Sequence, residues 1–379
     1  MKEKLIRVST IPVSLSGLLT GQLKFMSNHF EVIGVSSNGM NQLDKVRKQE
    51  GVKTIPVEMC RQIAPLKDLK SLCKLYLVFK KEKPFIVHSI TPKAGLLTMI
   101  AAKLAGVPHR LHTFTGLIFP TKTGLFQKIL IFTDRLLCYC ATKIYPEGEG
   151  VKTNLIAYKI TSKPLKIIGN GNVNGININY FSPSLFDQDS KSNLKQKFNI
   201  KKEDFVFVFM GRLVKDKGIN ELVSVFTQLT KEVEHVKLLL IGGYEEKLDP
   251  LEEETIYLIN NNQHIITTGW VDDVRPYFAI SDVLTFPSYR EGFPNVVMQA
   301  GAMGLPSIVT NISGCNEIII EGENGTIIQP KNKTQLFEKM TQISKKKVLF
   351  DTKTCRELIT TRYEQKILWE AVLKEYQSL

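Results

Sequence analysis

Short, uniformly apolar runs alternate with longer stretches in which apolar residues recur every three or four positions, along nearly the whole chain. The short runs predict strands and the longer ones helices covering them. In the first half the strand candidates are LIRVST (5–10), FEVIGVSS (30–37), KTIPV (53–57), FIVHS (85–89), HRLHTF (109–114), KIYP (143–146) and LKIIGN (165–170). Helical patterns fill 66–81, 93–106 and 123–142. After a polar, poorly periodic stretch at 181–200 the alternation resumes with FVFVFMG (205–211), VKLLLIGG (236–243), HIITTG (264–269), DVLTFP (282–287), SIVT (307–310) and GTIIQP (325–330). Helices are expected from about 218, to about 262 and from about 295, and residues 332–379 read as helical.

Strands this apolar are buried on both faces, which predicts an α/β protein with parallel sheets. Two doubly wound, Rossmann-like sheets in series predict a cleft between two domains, with ligands at the carboxyl ends of the strands. The expected boundaries are an N-terminal domain over 1–185, a second over 186–360, and a helix over 361–379 packing back towards the first. A length of 379 residues agrees with two cores rather than one.

Composition narrows the classes. The hydrophobic fraction of 43% and charged fraction of 23% are those of a folded globular chain. Six cysteines form no CxxC pair or metal-ligand spacing and are expected to be reduced thiols. The opening MKEKLIRV runs straight into a strand-like stretch, so no signal peptide is expected. The most apolar segments are cut by Lys103 and by Asp134-Arg135, short of the roughly 20 residues that a membrane-spanning helix needs. Charge is uneven. Residues 1–180 carry 26 Lys and Arg against 10 Asp and Glu, whereas the remainder carry 24 against 27. The basic half either meets an anionic partner or is a solvated basic surface.

Two loops carry candidate chemistry. In FMGRLVKDKGINEL (209–222), Gly211 ends a strand, Arg212 and Lys217 are loop cations, and Gly218 precedes a helix. Cations beside the free amides of a helix start suit a diphosphate, although surface loops of this composition are common. In PSYREGFPNVVMQA (287–300), Glu291-Gly292 precedes a helix whose first turn contains Pro294 and Asn295. Glu291 reads either as a ligand contact or as a carboxylate satisfying the helix dipole. Both strands end on the same side of one sheet, so both loops can face one ligand.

The pairing of GRLVKDKG with PSYREGFPNVVMQA, followed by GLPSIVTNISGCNEII and ENGTIIQP, resembles the family-4 retaining glycosyltransferases of the GT-B fold. IVHSITPKAGLLTMIAAKLAGVPHRLHTFTG (86–116) and GNGNVNGININYF (169–181) are similar to members that build surface polysaccharides and lipid-linked glycans. The resemblance implies that Arg212 and Lys217 neutralise a nucleoside diphosphate leaving group as sugar–phosphate cleavage develops charge on it. It implies catalysis without a cofactor or a metal. Of the family's two acids seven residues apart, the first matches Glu291, a donor-sugar contact, and the second falls on Gln299, a ribose contact. It further places donor contacts at Gly211, Gly17, Gly269, Trp270, Val271, Gly292, Phe293, Pro294, Asn295 and Val296. The chain departs from the pattern at Gln299, which lacks the acid's charge and so about 1 kcal/mol of hydrogen bonding. It departs again at Thr115, where many relatives carry histidine; His112, three residues earlier, is either a catalytic base or a core residue. Thr115 and Lys93 are candidate acceptor contacts, with a solvated lysine the alternative for Lys93.

Within 116–143, residues 117–128 combine apolar Leu117, Ile118, Phe119, Leu125 and Phe126 with Lys122 and Lys128, which suits an anionic membrane face, or else a core-facing helix. The expected function is transfer of a sugar from a nucleotide sugar, UDP-linked before GDP-linked, to a polyprenyl-diphosphate-linked saccharide in capsule or O-antigen assembly. The expected location is cytoplasmic, peripheral to the inner membrane face. A sugar-nucleotide epimerase of the same fold and a basic nucleic-acid-binding protein are the alternatives. No helix-turn-helix, RNP or zinc pattern supports nucleic acid as a partner, and no G-x-G-x-x-G follows the first strand to support a dehydrogenase.

Overall fold

A computed structural model of the chain describes residues 2–60, 64–245 and 249–379. It divides into two units: residues 1–175 with 365–379, and residues 176–364. The polar stretch at 181–200, where the sequence suggests the junction, lies inside the second unit. Its residues Gln188–Lys197 form a helix, capped where Asp187 accepts from the Ser190 amide at 2.8 Å.

The first unit holds β1 (Lys4–Val8), β2 (Glu31–Ser36), β3 (Lys53–Pro56), β4 (Ile86–Ser89), β5 (His109–Phe114) and β6 (Lys143–Pro146). They form one sheet in the order β3-β2-β1-β4-β5-β6, every pair parallel. β4 is buried throughout, the edge strand β3 is exposed at both of its ends, and the two edge strands β3 and β6 each end in proline. Helices Pro65–Glu82, Pro92–Ala105 and Gly124–Cys140 cover one face; helices Gln22–Ser27, Gln42–Glu50 and Gln365–Gln377 contribute to the other. Pro92 at the start and left-handed Gly106 at the end bound the central helix as expected of such residues.

The second unit repeats the plan. Strands β7 (Phe205–Met210), β8 (Val236–Ile241), β9 (Ile265–Gly269), β10 (Val283–Phe286), β11 (Ser307–Thr310) and β12 (Gly325–Ile328) run in the order β12-β11-β10-β7-β8-β9, again all parallel. Relabelled from its own first strand, each sheet has the same order, and the order reverses between the first and fourth strands. Here those are β7 and β10, which is where a ligand site is expected.

Three expectations need correction. Residues 165–170 are not a strand: Leu165 makes one isolated bridge to Ile144. Pro164 precedes it without a donor, and left-handed Gly169 and Gly171 turn the chain away. Gly17 is not in the loop after β1 but inside the helix Pro12–Leu18, exposed, with open space where a Cβ would stand. Phe119 is fully buried and stacks edge-on against Tyr158, so it belongs to the core. No helix among the described residues is long and apolar enough to cross a membrane.

Candidate active site

Four neighbouring strands, β10-β7-β8-β9, deliver their carboxyl-terminal loops to one edge of the second unit. The loops after β7 and β10 are interlocked. The Tyr289 amide donates to the Asp216 carbonyl at 2.9 Å, and Arg290 pairs with the Asp216 carboxylate at 3.0 Å. Gly218, at φ +71°, lies so close to the Pro287 carbonyl that a Cβ would sit 2.2 Å from its oxygen. Only glycine allows both that backbone conformation and that approach.

The interlock brings Lys217 and Glu291 together. The Lys217 ammonium donates to Glu291 Oε1, and the Ser288 hydroxyl donates to the same oxygen at 2.8 Å. Lys217 Nζ also lies 5.4 Å from the centre of the Phe286 ring. The side chains of Lys217 and Glu291 are 18% and 14% exposed, enough to meet a ligand yet shielded from bulk water. Thr310 at the end of β11 donates to the Ser288 carbonyl, which fixes the loop from the next strand. Cys315 lies behind the pair; burial first, and then the Glu291 charge, raises its thiol well above the ordinary range.

Glu291 and Gly292 lead directly into the helix Asn295–Ala302. Gly314 packs against this entry, where a Cβ would meet the Gly292 carbonyl oxygen at 2.3 Å. Phe293 and Val296 are buried, Pro294 is the N-cap, and Asn295 opens the first turn. Four residues on, the Gln299 side-chain oxygen is shielded from water without a hydrogen-bond partner among the described residues. An acceptor left idle in this way is suited to a donor from a ligand, such as a sugar hydroxyl.

Arg212 does not join the Lys217–Glu291 pair in this structure. It is more than half exposed and pairs with Glu245 in the loop after β8. Gly211 and Gly242 meet so closely that a Cβ on Gly242 would lie 1.9 Å from the Gly211 carbonyl oxygen. The Gly242 amide in turn donates to the Gly269 carbonyl at 2.9 Å. Trp270 follows Gly269 and is 83% exposed, while Val271 packs partly against the core.

The candidates of the first unit are placed differently. His112 is 1% exposed under Gly95, with Nδ1 2.8 Å from Ser89 Oγ. Burial pushes its pKa down to about 3. Its position is the one the core-residue alternative expects. Lys93 pairs with Asp68 at 2.7 Å, and Thr115 donates to the Ile90 carbonyl at 2.8 Å. Both stand beyond the ends of β4 and β5, near the Thr10–Thr91 hydroxyl contact of 2.8 Å that ties the loops after β1 and β4. Ser288, Thr310 and Glu245 are site residues that the sequence did not single out. Only Ser288, three positions before Glu291, gave a local signal.

Comparison with known proteins shows the family and the fold. Residues 190–365 match the family "Glycosyl transferases group 1", and residues 16–147 match "Glycosyl transferase 4-like". The chain is 32% identical over 383 residues to the capsular polysaccharide biosynthesis glycosyltransferase CapM of Staphylococcus aureus, covering 99% of this chain and 97% of that one. It is 29% identical to the UDP-Gal:alpha-D-GlcNAc-diphosphoundecaprenol alpha-1,3-galactosyltransferase of Escherichia coli, over 96% and 95% of the two chains. Among solved structures, Anabaena HepE in complex with UDP superposes with a TM-score of 0.81 at 18% identity over the whole of both chains. WaaG, a glycosyltransferase of lipopolysaccharide biosynthesis, gives 0.71 at 13% identity, over 97% and 98%. The two six-stranded units thus form a GT-B fold. The chain belongs to the group 1, type-4-like glycosyltransferases.

Proposed function

We propose that this chain is a retaining, metal-independent glycosyltransferase that moves a sugar from a UDP-sugar to a polyprenyl-diphosphate-linked saccharide at the inner membrane face. The second unit binds the donor and the first the acceptor. The relatives' names support the substrate classes: one acts on a UDP-galactose donor and a diphosphoundecaprenol-linked GlcNAc, and HepE was solved with UDP. The observation that carries the reading is the Lys217–Glu291–Ser288 cluster at the point where the strand order reverses.

In the proposed reaction Lys217, and Arg212 once it exchanges Glu245 for phosphate, hold the donor's diphosphate. The bond between the anomeric carbon and the phosphate oxygen breaks with its electron pair on the diphosphate. The acceptor hydroxyl oxygen bonds to the anomeric carbon on the same face, and its proton passes to the departing phosphate oxygen. No protein base is needed, which is compatible with His112 being a core residue. Two side-chain cations supply the countercharge that a divalent ion supplies elsewhere, so no cofactor is required. Glu291 faces the donor sugar and stabilises the positive charge that develops on its ring. Gln299 accepts from a ribose hydroxyl.

The test is a donor screen on a lipid-diphosphate saccharide, with and without EDTA, reading the anomeric configuration of the product by NMR. Transfer with retained configuration, unaffected by EDTA, is expected. Inverted product or abolition by EDTA refutes the corresponding part, and sugar-nucleotide turnover without acceptor points to an epimerase instead. Lys217→Ala, Glu291→Ala and Arg212→Ala should each slow transfer by about 100-fold or more, as loss of one aimed electrostatic contact does.

A further inference from the structure

The helix layer on one face of the first unit has an outer surface unlike the rest of the molecule. Residues 65–140 hold ten of the 21 large apolar side chains exposed among the described residues, in about a fifth of the chain. The same segment contains twelve Lys and Arg and only three acids. None of those acids is exposed. Asp68 pairs with Lys93, Glu82 is buried between Lys4 and Lys53, and Asp134 is largely shielded. Ten of the twelve cations are exposed.

The apolar side chains follow helix geometry. Leu125, Ile129, Phe132 and Tyr139 recur at spacings that put them on one stripe of the helix Gly124–Cys140, all exposed. Lys128 and Arg135 run along its flank, and Lys103 lies 3.6 Å above the Tyr139 ring. Leu66, Leu69 and Leu77 form a second stripe on the helix Pro65–Glu82, interleaved with exposed Lys70, Lys74 and Lys81. Both helices flank Pro92–Ala105 in one layer, so the stripes lie on the same side of the unit.

From this we infer that the outer face of helices 65–82 and 124–140 is a membrane-docking surface. It seats its leucine and phenylalanine side chains among the acyl chains of an anionic bilayer, with the lysines at headgroup level. A purely apolar partner surface would not call for ten exposed cations without one exposed acid. A polyanion such as RNA would not call for two leucine and phenylalanine stripes. An anionic lipid surface meets both requirements. The docking face is wider than the 117–128 segment suggested by the sequence: Phe119 faces inward, and the stripe extends to Tyr139 and onto a second helix. This inference rests on the proposed lipid-linked acceptor, for which docking gives access to the substrate in its own plane.

The experiment is co-sedimentation of the full chain with phosphatidylcholine vesicles with and without about one-third phosphatidylglycerol. The wild type should bind the anionic vesicles and lose about tenfold or more of that binding in high salt. Leu125→Glu with Phe132→Glu, and separately Lys70→Glu with Lys128→Glu, should each weaken binding by about tenfold or more. Tyr257→Glu, an equally exposed position on the second unit, should change nothing. Circular dichroism checks that each variant is folded. Vesicle binding unchanged in both double variants, no binding by the wild type, or binding to RNA in place of vesicles overturns the inference. A water-soluble short-chain diphosphate acceptor separates it from the proposed function. On that acceptor Leu125→Glu with Phe132→Glu should transfer as well as the wild type. Absence of transfer by every form, with docking lost only in the double variants, refutes the function and leaves the surface standing.

Discussion

Gly218 shows how narrowly one position can be fixed. Its left-handed φ of +71° alone disfavours any side chain, and the Pro287 carbonyl leaves no space for a Cβ. Gly51, at φ +68°, shares the first constraint but has nothing within 4 Å. Gly51→Ala should therefore cost only the conformational part, about 1 kcal/mol. Gly218→Ala should cost clearly more, about 3 kcal/mol, and depress transfer as well, because Lys217 is its neighbour. Urea titration of both variants checks the contrast; equal losses would mean that the carbonyl contact is of no consequence. Gln299 gives a second prediction. A glutamate there offers ribose a charged acceptor but leaves a shielded carboxylate when no donor is bound. Gln299→Glu should lower the donor KM by about fivefold, leave kcat within about twofold and lower the melting temperature. Glu291 and Lys217 could be read from sequence because each sits in a local motif between a strand and a helix. Their convergence on one oxygen with Ser288, 74 and 3 residues from Glu291, could not. The burial of His112 was equally hidden, since it depends on Gly95 in a different element.

At the scale of elements, strands and long helices were legible because burial on both faces leaves an unbroken apolar run, as in β7 and β8. The short helices Pro12–Leu18 and Gln22–Ser27 were not, because six or seven residues give too few turns for a period to show. The helix Gly124–Cys140 carries a feature its pattern did not reveal. Burial raises the Asp134 pKa from 3.8 to about 7. The folded chain then holds a proton that the unfolded chain releases, so this contribution is intact below about pH 3.8 and is lost as pH rises towards 7. Allowing for partial exposure, the loss is about 1–3 kcal/mol. Asp134→Asn should remove it, giving a variant more stable than wild type at high pH and no better in acid. Urea midpoints on either side of the window decide; an equal gain at both ends would exclude titration of Asp134 as the cause.

At the scale of the whole molecule, the chain leaves its first unit at Gly175 and returns only for the last fifteen residues, 365–379. Those residues complete a core. Leu368, Val372 and Tyr376 are buried in the first unit, each worth about 1.5–3 kcal/mol. The Tyr376 hydroxyl lies 2.6 Å from both Arg7 Nη1 and His88 Nδ1, and Arg7 is itself 1% exposed in β1. Glu375 accepts from Lys143 at 3.0 Å, from Tyr145 at 2.9 Å and from Lys166. Removing the segment exposes apolar surface and also takes the Tyr376 hydroxyl from the buried Arg7 guanidinium, which among the described residues keeps only Gln22 at 2.9 Å, for a further cost of about 1–3 kcal/mol. Together these approach the whole stability of an ordinary domain, about 5–15 kcal/mol. A fragment of residues 1–175 should therefore lack a cooperative melt by circular dichroism, whereas 176–364, whose sheet and core are continuous in sequence, should melt cooperatively by itself. Joining 365–379 to 1–175 through a flexible linker should restore the transition. Tyr376→Phe in that joined fragment should lower its stability by about 1–3 kcal/mol, because Arg7 and His88 then lose their shared hydroxyl. A cooperative melt of 1–175 alone would show that the terminal helix is an accessory; failure of 176–364 to fold would place the dependence between units on the other side.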